Sequence, residues 1–201
     1  LGQQVDVTYN EVDASTITAA DIIGTVGDTG KTGIQLITSM YNEYGVAPGL
    51  LVVPKWSQDP LVHDAMIAAS QKIDGKFHCF SLSDLPLDNG GNNISTIPQA
   101  IAYKEQSVYD TQPEKTAWPR AGKGDNKVFH ISTLTAVACQ QVDSTHEGVP
   151  LESPSNTRLD IDRYIIPSVA KPRLYDETEV NELNAKGITT VKKEAGLWLL
   201  W

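Results

Sequence analysis

The stretch with the most explicit chemistry is Gly27-Asp-Thr-Gly-Lys-Thr32. A Gly-Lys-Thr that opens a helix is the end of a P-loop, in which backbone N–H groups and the lysine cradle a phosphate. The spacing is wrong for one. The full pattern needs a glycine five residues before Gly30; that position is Thr25, and the glycines stand at 24 and 27. The context is wrong too, because Thr18–Gly24 reads as a capped helical turn and not as the strand that aims a P-loop. We therefore expect a Gly-rich turn in which Asp28 or Thr29 caps the following helix, with Lys31 and Thr32 in local structural roles.

The remaining reactive side chains do not converge in sequence. Histidines 63, 78, 130 and 146 lack HxxxH and HExxH spacing. His78 and His130 read as strand residues satisfied by backbone carbonyls, and His63 with Asp64 as a solvated pair at a helix start. Cys79 and Cys139 are 60 residues apart in apolar surroundings, which fits buried thiols in a reducing compartment better than a disulfide or a zinc site. Ser153-Pro-Ser-Asn156 could position a ligand, but without a nucleophile elbow or a neighbouring base a turn is the better reading. The carboxylates form no cluster; Asp6, Glu11 and Asp13 read as one exposed face. No residue is assigned a catalytic, cofactor-binding or metal-ligating role, and no cofactor is expected.

The elements alternate short apolar runs with helical patterns, the signature of an α/β layer fold. Leu50–Pro54 reads as a buried strand, and Asp59 with Pro60 as the N-cap and first position of a helix running to Ile73. That helix would turn Leu61, Ala65, Ala68 and Ala69 inward and stop at Gly75. Phe77–Leu82 follows as a strand, so residues 50–82 form a βαβ unit with parallel strands. Thr32–Tyr44 reads as an amphipathic helix with Ile34, Leu36, Ile37, Met40 and Tyr41 apolar, stopped by Gly45. Asp88–Asn93 is expected as a surface loop and Ser95–Glu105 as a short helix. Thr116–Pro119 and Lys127–Ile131 would flank a hairpin tipped by Gly122–Asn126. Ser132–Val142 reads as a helix, Gly148–Arg173 as irregular chain, and Asp176–Lys186 as a helix closed by Gly187. Ile188–Val191 and Leu197–Trp201 read as a terminal strand pair.

Composition bounds what such a fold can do. A chain of 201 residues with 40% apolar side chains is large enough for one ordinary core. Its net charge of −9 leaves no basic footprint for nucleic acid. No signal-peptide pattern opens it, and no apolar run approaches the ~18 residues of a membrane span. A first residue of Leu1 and a last stretch of Gly196-Leu-Trp-Leu-Leu-Trp201 suggest a piece of a longer protein.

Taken in order, several stretches resemble the tail sheath proteins of contractile-tailed bacteriophages and related particles. They are 17–24, Gly30–Leu36, Val46–Pro54, Trp56–Pro60, Ile73–Gly75, Phe129–Leu134, Gly148–Asn156 and Leu183–Ile188. Together they span most of the chain from about residue 9. The resemblance implies a structural virion protein without enzymatic activity: one α/β core domain over 1–201, subtilisin-like in fold and lacking the parent's N-terminal region and C-terminal arm domain. The partners it implies are other sheath protomers joined by strand exchange, the tail tube protein, the baseplate and the tail terminator, with neither nucleic acid nor membrane among them. It implies a place in the virion tail after assembly in the bacterial cytoplasm, and it expects Trp56 to be packed by neighbouring loops. A subtilisin-like hydrolase or a P-loop-type nucleotide-binding protein is the competing reading, although no His-Gly-Thr-like or Gly-Thr-Ser-like segment of a subtilisin triad is present.

Overall fold

The computed structural model describes residues 13–106, 115–167 and 169–201. Asp6 and Glu11 lie outside them, and Asp13 is an exposed cap that accepts from Ser15 N–H. Helix α1 (Ala19–Ile23) is the expected capped turn, the Asp21 carboxylate accepting from Thr18 N at 2.8 Å. Strands β1 (Val26–Gly27) and β2 (Gly30–Lys31) form a small antiparallel hairpin. Asp28 and Thr29 are therefore its turn, not caps of the next helix.

The single helix expected over Thr32–Tyr44 is instead a 3₁₀ stretch, Gly33–Ser39, followed by α2 (Met40–Tyr44). Gly33 has φ +56°, and a Cβ there would sit 2.5 Å from Ile22 O, so no other residue fits this opening. Farther along, the Thr38 hydroxyl donates to Gln35 O at 2.7 Å and Ser39 to Leu36 O at 3.3 Å, i to i−3 bonds that match the tighter helix. Leu36 is half exposed as a result, while Ile34 stays buried. Gly45 ends α2 in the left-handed conformation, as expected.

The βαβ unit is present. Strand β3 (Leu50–Val52), helix α3 (Pro60–Ser70) and β4 (Phe80–Asp84) make a parallel pair with Leu51 opposite Ser81. Asp59 caps α3 by accepting from Leu61 N at 2.9 Å. Two details differ. The helix buries Val62, His63, Met66, Ala69 and Ser70, whereas Leu61 and Ala68 face outward; the apolar positions alone set the wrong phase because a histidine and a serine belong to the inner face. After Ser70 the chain makes a tight turn through Asp74 (φ +48°) and Gly75 (φ +69°), with Ile73 bridged to Phe77, so the strand starts three residues later than expected.

A second hairpin, β5 (Asp88–Asn89) with β6 (Asn92–Asn93), occupies the expected surface loop. Helix α4 (Ile97–Glu105) follows, its Thr96 and Gln99 forming a capping box. Strand β7 (Lys115–Ala117) joins the parallel sheet beside β4 rather than a hairpin. The hairpin expected here is built from β8 (Arg120–Lys123) and β9 (Lys127–His130). Helix α5 (Ile131–Ser144) is next. The stretch read as irregular holds two short strands, β10 (Arg158–Leu159) and β11 (Arg163–Ile165), which add to other sheets.

Asp176 caps α6 (Glu177–Ala185), and Gly187 closes it at φ +69°. The expected strand Ile188–Val191 is split at Thr190. Its first half, β12 (Ile188–Thr189), completes the parallel sheet β12-β7-β4-β3. From Val191 the chain continues as β13 (Val191–Glu194), which pairs antiparallel with β14 (Leu197–Leu200). The two remaining larger sheets run β11-β8-β9 and β10-β14-β13.

Helices cover both faces of the parallel sheet. Ser83 of β4 faces α3, while its neighbour Leu82 joins the main core with Trp118, Ile131, Leu183 and Ile188. A smaller cluster of Ile34, Leu51, Val62, Met66 and Ala69 lies on the α3 side. This two-sided burial fits β3, a continuous apolar run, whereas the inward serines and aspartate of β4 are taken up by hydrogen bonds.

Candidate functional site

The densest polar constellation sits at the carboxyl ends of β3 and β4, the edge where open α/β sheets hold their ligands. Asp84 ends β4 with its side chain almost wholly buried. Its backbone N–H donates to Ser57 Oγ at 3.0 Å. Its carboxylate accepts from Ser132 N at 3.1 Å and from Ser132 Oγ at 2.5 Å. Ser132 is the second residue of α5, whose N-cap His130 offers no side-chain cap. Asp84 thus caps α5 from 48 residues away in sequence, and its negative charge meets the positive end of the helix dipole.

His130 brings Nδ1 to 3.2 Å from Asp84 Oδ2, within ion-pair reach but off the line of a hydrogen bond. Arg120, opposite His130 in the β8–β9 register, donates from Nη2 to Gln58 Oε1 at 3.1 Å. Burial pulls the basicity of its guanidinium down, and the Asp84 charge works against that. On the other face of β4, His63 Nδ1 is 2.7 Å from Ser83 Oγ with both residues buried. The expected solvated His63–Asp64 pair is therefore corrected: His63 is an internal residue that ties α3 to the sheet.

Serine, histidine and aspartate are all present, yet their order is not that of a hydrolase. A nucleophilic serine needs a base on its Oγ. Here Ser132 Oγ donates to Asp84, His130 approaches the same carboxylate, and Ser132 is fully buried. The arrangement is a joint that locks β4, the segment Trp56–Gln58 and the start of α5 together. Sequence reasoning missed it because its three anchors, Ser57, Asp84 and Ser132, are 27 to 75 residues apart and each looks ordinary in isolation. The one legible signal was an aspartate closing an otherwise uncharged strand.

The residues singled out by sequence are scattered. Lys31 Nζ donates to Thr38 Oγ1 at 2.7 Å, and Thr32 Oγ1 accepts from Thr25 N at 2.9 Å, so both serve local structure. His78 is exposed outside β4, and among the described residues neither its ring nor that of His130 bonds a backbone carbonyl, contrary to the expectation for these two strand histidines; His146 Nε2 lies 3.1 Å from Glu152 Oε2. Cys79 and Cys139 are free and half-buried, and burial pushes both thiols up, with the nearby Asp143 charge acting in the same direction on Cys139. Ser153 Oγ accepts from Ser155 N at 3.2 Å and Asn156 N donates to Leu200 O, the turn role expected of this segment. Trp56 packs half-buried against the smaller core with the Lys55 ammonium 5.3 Å from its ring.

A cavity of about 600 Å³ lies between the start of α4, Ile166 with the segment 169–173, and α6. Arg173 and Glu179 on its wall form a two-pronged ion pair. That pair holds the Glu179 carboxyl below its ordinary range. Behind them Tyr175, stacked on Trp118, is pushed up to about 12 by burial. Arg173 and Glu179 thus neutralise each other, while Lys171 and Glu182 complete the charged part of the lining. Among the described residues no group of three or more metal-ligating side chains converges, and no helix is long and apolar enough to cross a membrane.

No protein-family profile matches the chain. A curated "Tail sheath protein" of Burkholderia phage BcepMu is 28% identical over 210 residues, covering 96% of this chain and 41% of that protein. The resemblance to tail sheath proteins is borne out. The chain spans about two-fifths of the relative's length. Among solved structures, a chain of the cryo-EM baseplate of the anti-feeding prophage superposes with a TM-score of 0.51. The match covers 88% of this chain and 42% of that one at 18% identity, so it speaks to fold.

Edge strand β13 is guarded. Lys192 lies 3.4 Å from the Trp201 ring centroid and 2.9 Å from Glu194 Oε2, and Lys193 approaches Trp198. Charged side chains on an edge discourage pairing with a stray strand.

Proposed function

We propose that this chain is the α/β body of a contractile tail sheath subunit, subtilisin-like in fold, and that it polymerises around a tail tube and contracts to drive the tube into a host. The observation that carries the reading is the sheath relative's coverage of 96% of this chain. The buried joint around Asp84 supports it, because a body that transmits force between neighbours needs its layers fixed to one another. Contraction would then move rigid subunits between two packings rather than remodel each one.

The partners under this reading are neighbouring sheath protomers linked by exchanged strands, a β-augmentation mode, together with the tube, the baseplate and the tail terminator. Assembly takes place in the bacterial cytoplasm and the product resides in the virion tail. Electron microscopy of the full-length protein tests it: a sheath subunit forms tubes of uniform diameter. A hydrolase reading would demand a reactive serine. An active-site-directed phosphonate is expected to leave Ser132 unlabelled.

A further inference from the structure

We propose that Asn89 is a site of spontaneous deamidation in the folded protein, a covalent modification confined to the tip of the β5–β6 hairpin. The chain contains a single Asn-Gly step, Asn89-Gly90. In this reaction the deprotonated backbone nitrogen of the following residue attacks the asparagine Cγ. The new N–Cγ bond closes a five-membered succinimide, and the Cγ–Nδ2 bond breaks, releasing ammonia. Water then opens the ring at either carbonyl, giving aspartate or isoaspartate; no oxidant or other reactant enters. A following glycine favours the attack because it has no Cβ to crowd the ring and restricts its own backbone least.

The hairpin presents this step to solvent. Residues 88–93 are all exposed. Gly90 and Gly91 have φ +60° and +98°, the two left-handed positions of a two-residue hairpin turn. The side chain of Asp88 accepts from Gly91 N at 2.7 Å, not from Gly90 N. Among the described residues neither Gly90 N–H nor the Asn89 side-chain amide is engaged in a hydrogen bond. Two residue pairs form the ladder, and one further bond, Ile94 N to Leu87 O, closes its base. Opening the exposed tip of so short a ladder costs little and leaves its base in place, so Asn89 can rotate into the attack geometry without global unfolding.

The chain has one comparable Asp-Gly step, Asp74-Gly75, and it is held differently. Asp74 Oδ2 accepts from Asn42 N at 2.9 Å, and its backbone N–H donates to Thr38 O. That residue is tied to α2 and the 3₁₀ stretch and serves as an internal control. At Asn89, either product adds one negative charge beside Asp88, and isoaspartate also inserts a main-chain carbon that shifts the β5–β6 register.

The test is to incubate the native protein at mildly alkaline pH and follow each asparagine by peptide mass spectrometry, with enzymatic methylation to detect isoaspartate. Asn89 is expected to convert at least about tenfold faster than any other asparagine, a barrier lower by 1.36 kcal/mol per decade. Its rate in the native state is expected to stay within about tenfold of that in urea, and to collapse in Asn89→Gln, which must close a larger ring. A native rate indistinguishable from the other asparagines, with Asn89 reacting only in urea, would overturn the proposal. So would isoaspartate accumulating first at Asp74.

Discussion

At the residue scale, the joint around Asp84 carries the clearest consequences. Ser132 supplies two of the hydrogen bonds to a carboxylate that is nearly inaccessible to water. Ser132→Ala keeps the backbone bond and removes the hydroxyl, leaving a buried acceptor short of a partner. It should destabilise the fold by about 1–3 kcal/mol, read as a lowered urea midpoint with an unchanged slope. Lys31 belongs to the opposite case. Its ammonium rests on Thr38 at the surface of the 3₁₀ stretch, so Lys31→Ala should change stability by no more than about 0.5 kcal/mol. Calorimetric titration with ATP or GTP should show no saturable binding in either the parent or the variant. Binding present in the parent and lost in Lys31→Ala would revive the phosphate-loop reading.

At the scale of elements, legibility followed range. Helices with local start and stop signals, Asp59-Pro60, Asp176 and Gly187, formed where those signals stood because each of these caps is settled within four residues. The parallel β3–α3–β4 unit was equally readable from its run lengths. What failed depended on distant partners. His63 joins the buried face of α3 because Ser83 is there to receive it, and Ser70 can join because its hydroxyl donates to Ile67 O; no periodicity reveals either. The 3₁₀ stretch Gly33–Ser39 displaced an α-helix because Gly33 is pressed against Ile22 O. Strands β10 and β11 were invisible since a two- or three-residue strand acquires its meaning from the neighbour it joins. The turn between β13 and β14 offers a prediction at this scale. Ala195 has φ +48° beside Gly196 at φ +83°, the left-handed pair that suits the hairpin but strains an alanine by roughly 1–2 kcal/mol. Ala195→Gly should therefore stabilise the protein by about 0.5–1 kcal/mol despite glycine's unfolded-state entropy, measurable as a raised melting midpoint.

For the whole molecule, the sheath reading places function in surfaces rather than in a pocket. The 201-residue chain has a net charge of −9 and a guarded β13 edge. On its own it should be monomeric at low micromolar concentration, with light scattering after size exclusion giving a mass near 21.9 kDa. Rings or tubes formed by this chain alone would show that contacts between α/β bodies suffice for assembly.

The most direct measurement of the central claim is cryo-electron microscopy of the full-length protein that carries this chain. The account predicts hollow helical tubes of uniform diameter in which this α/β body repeats around the axis, with the β4–α5 joint unchanged from one subunit to the next. A full-length protein that stays monomeric under assembly conditions, or tubes in which this body is absent from the wall, would contradict it.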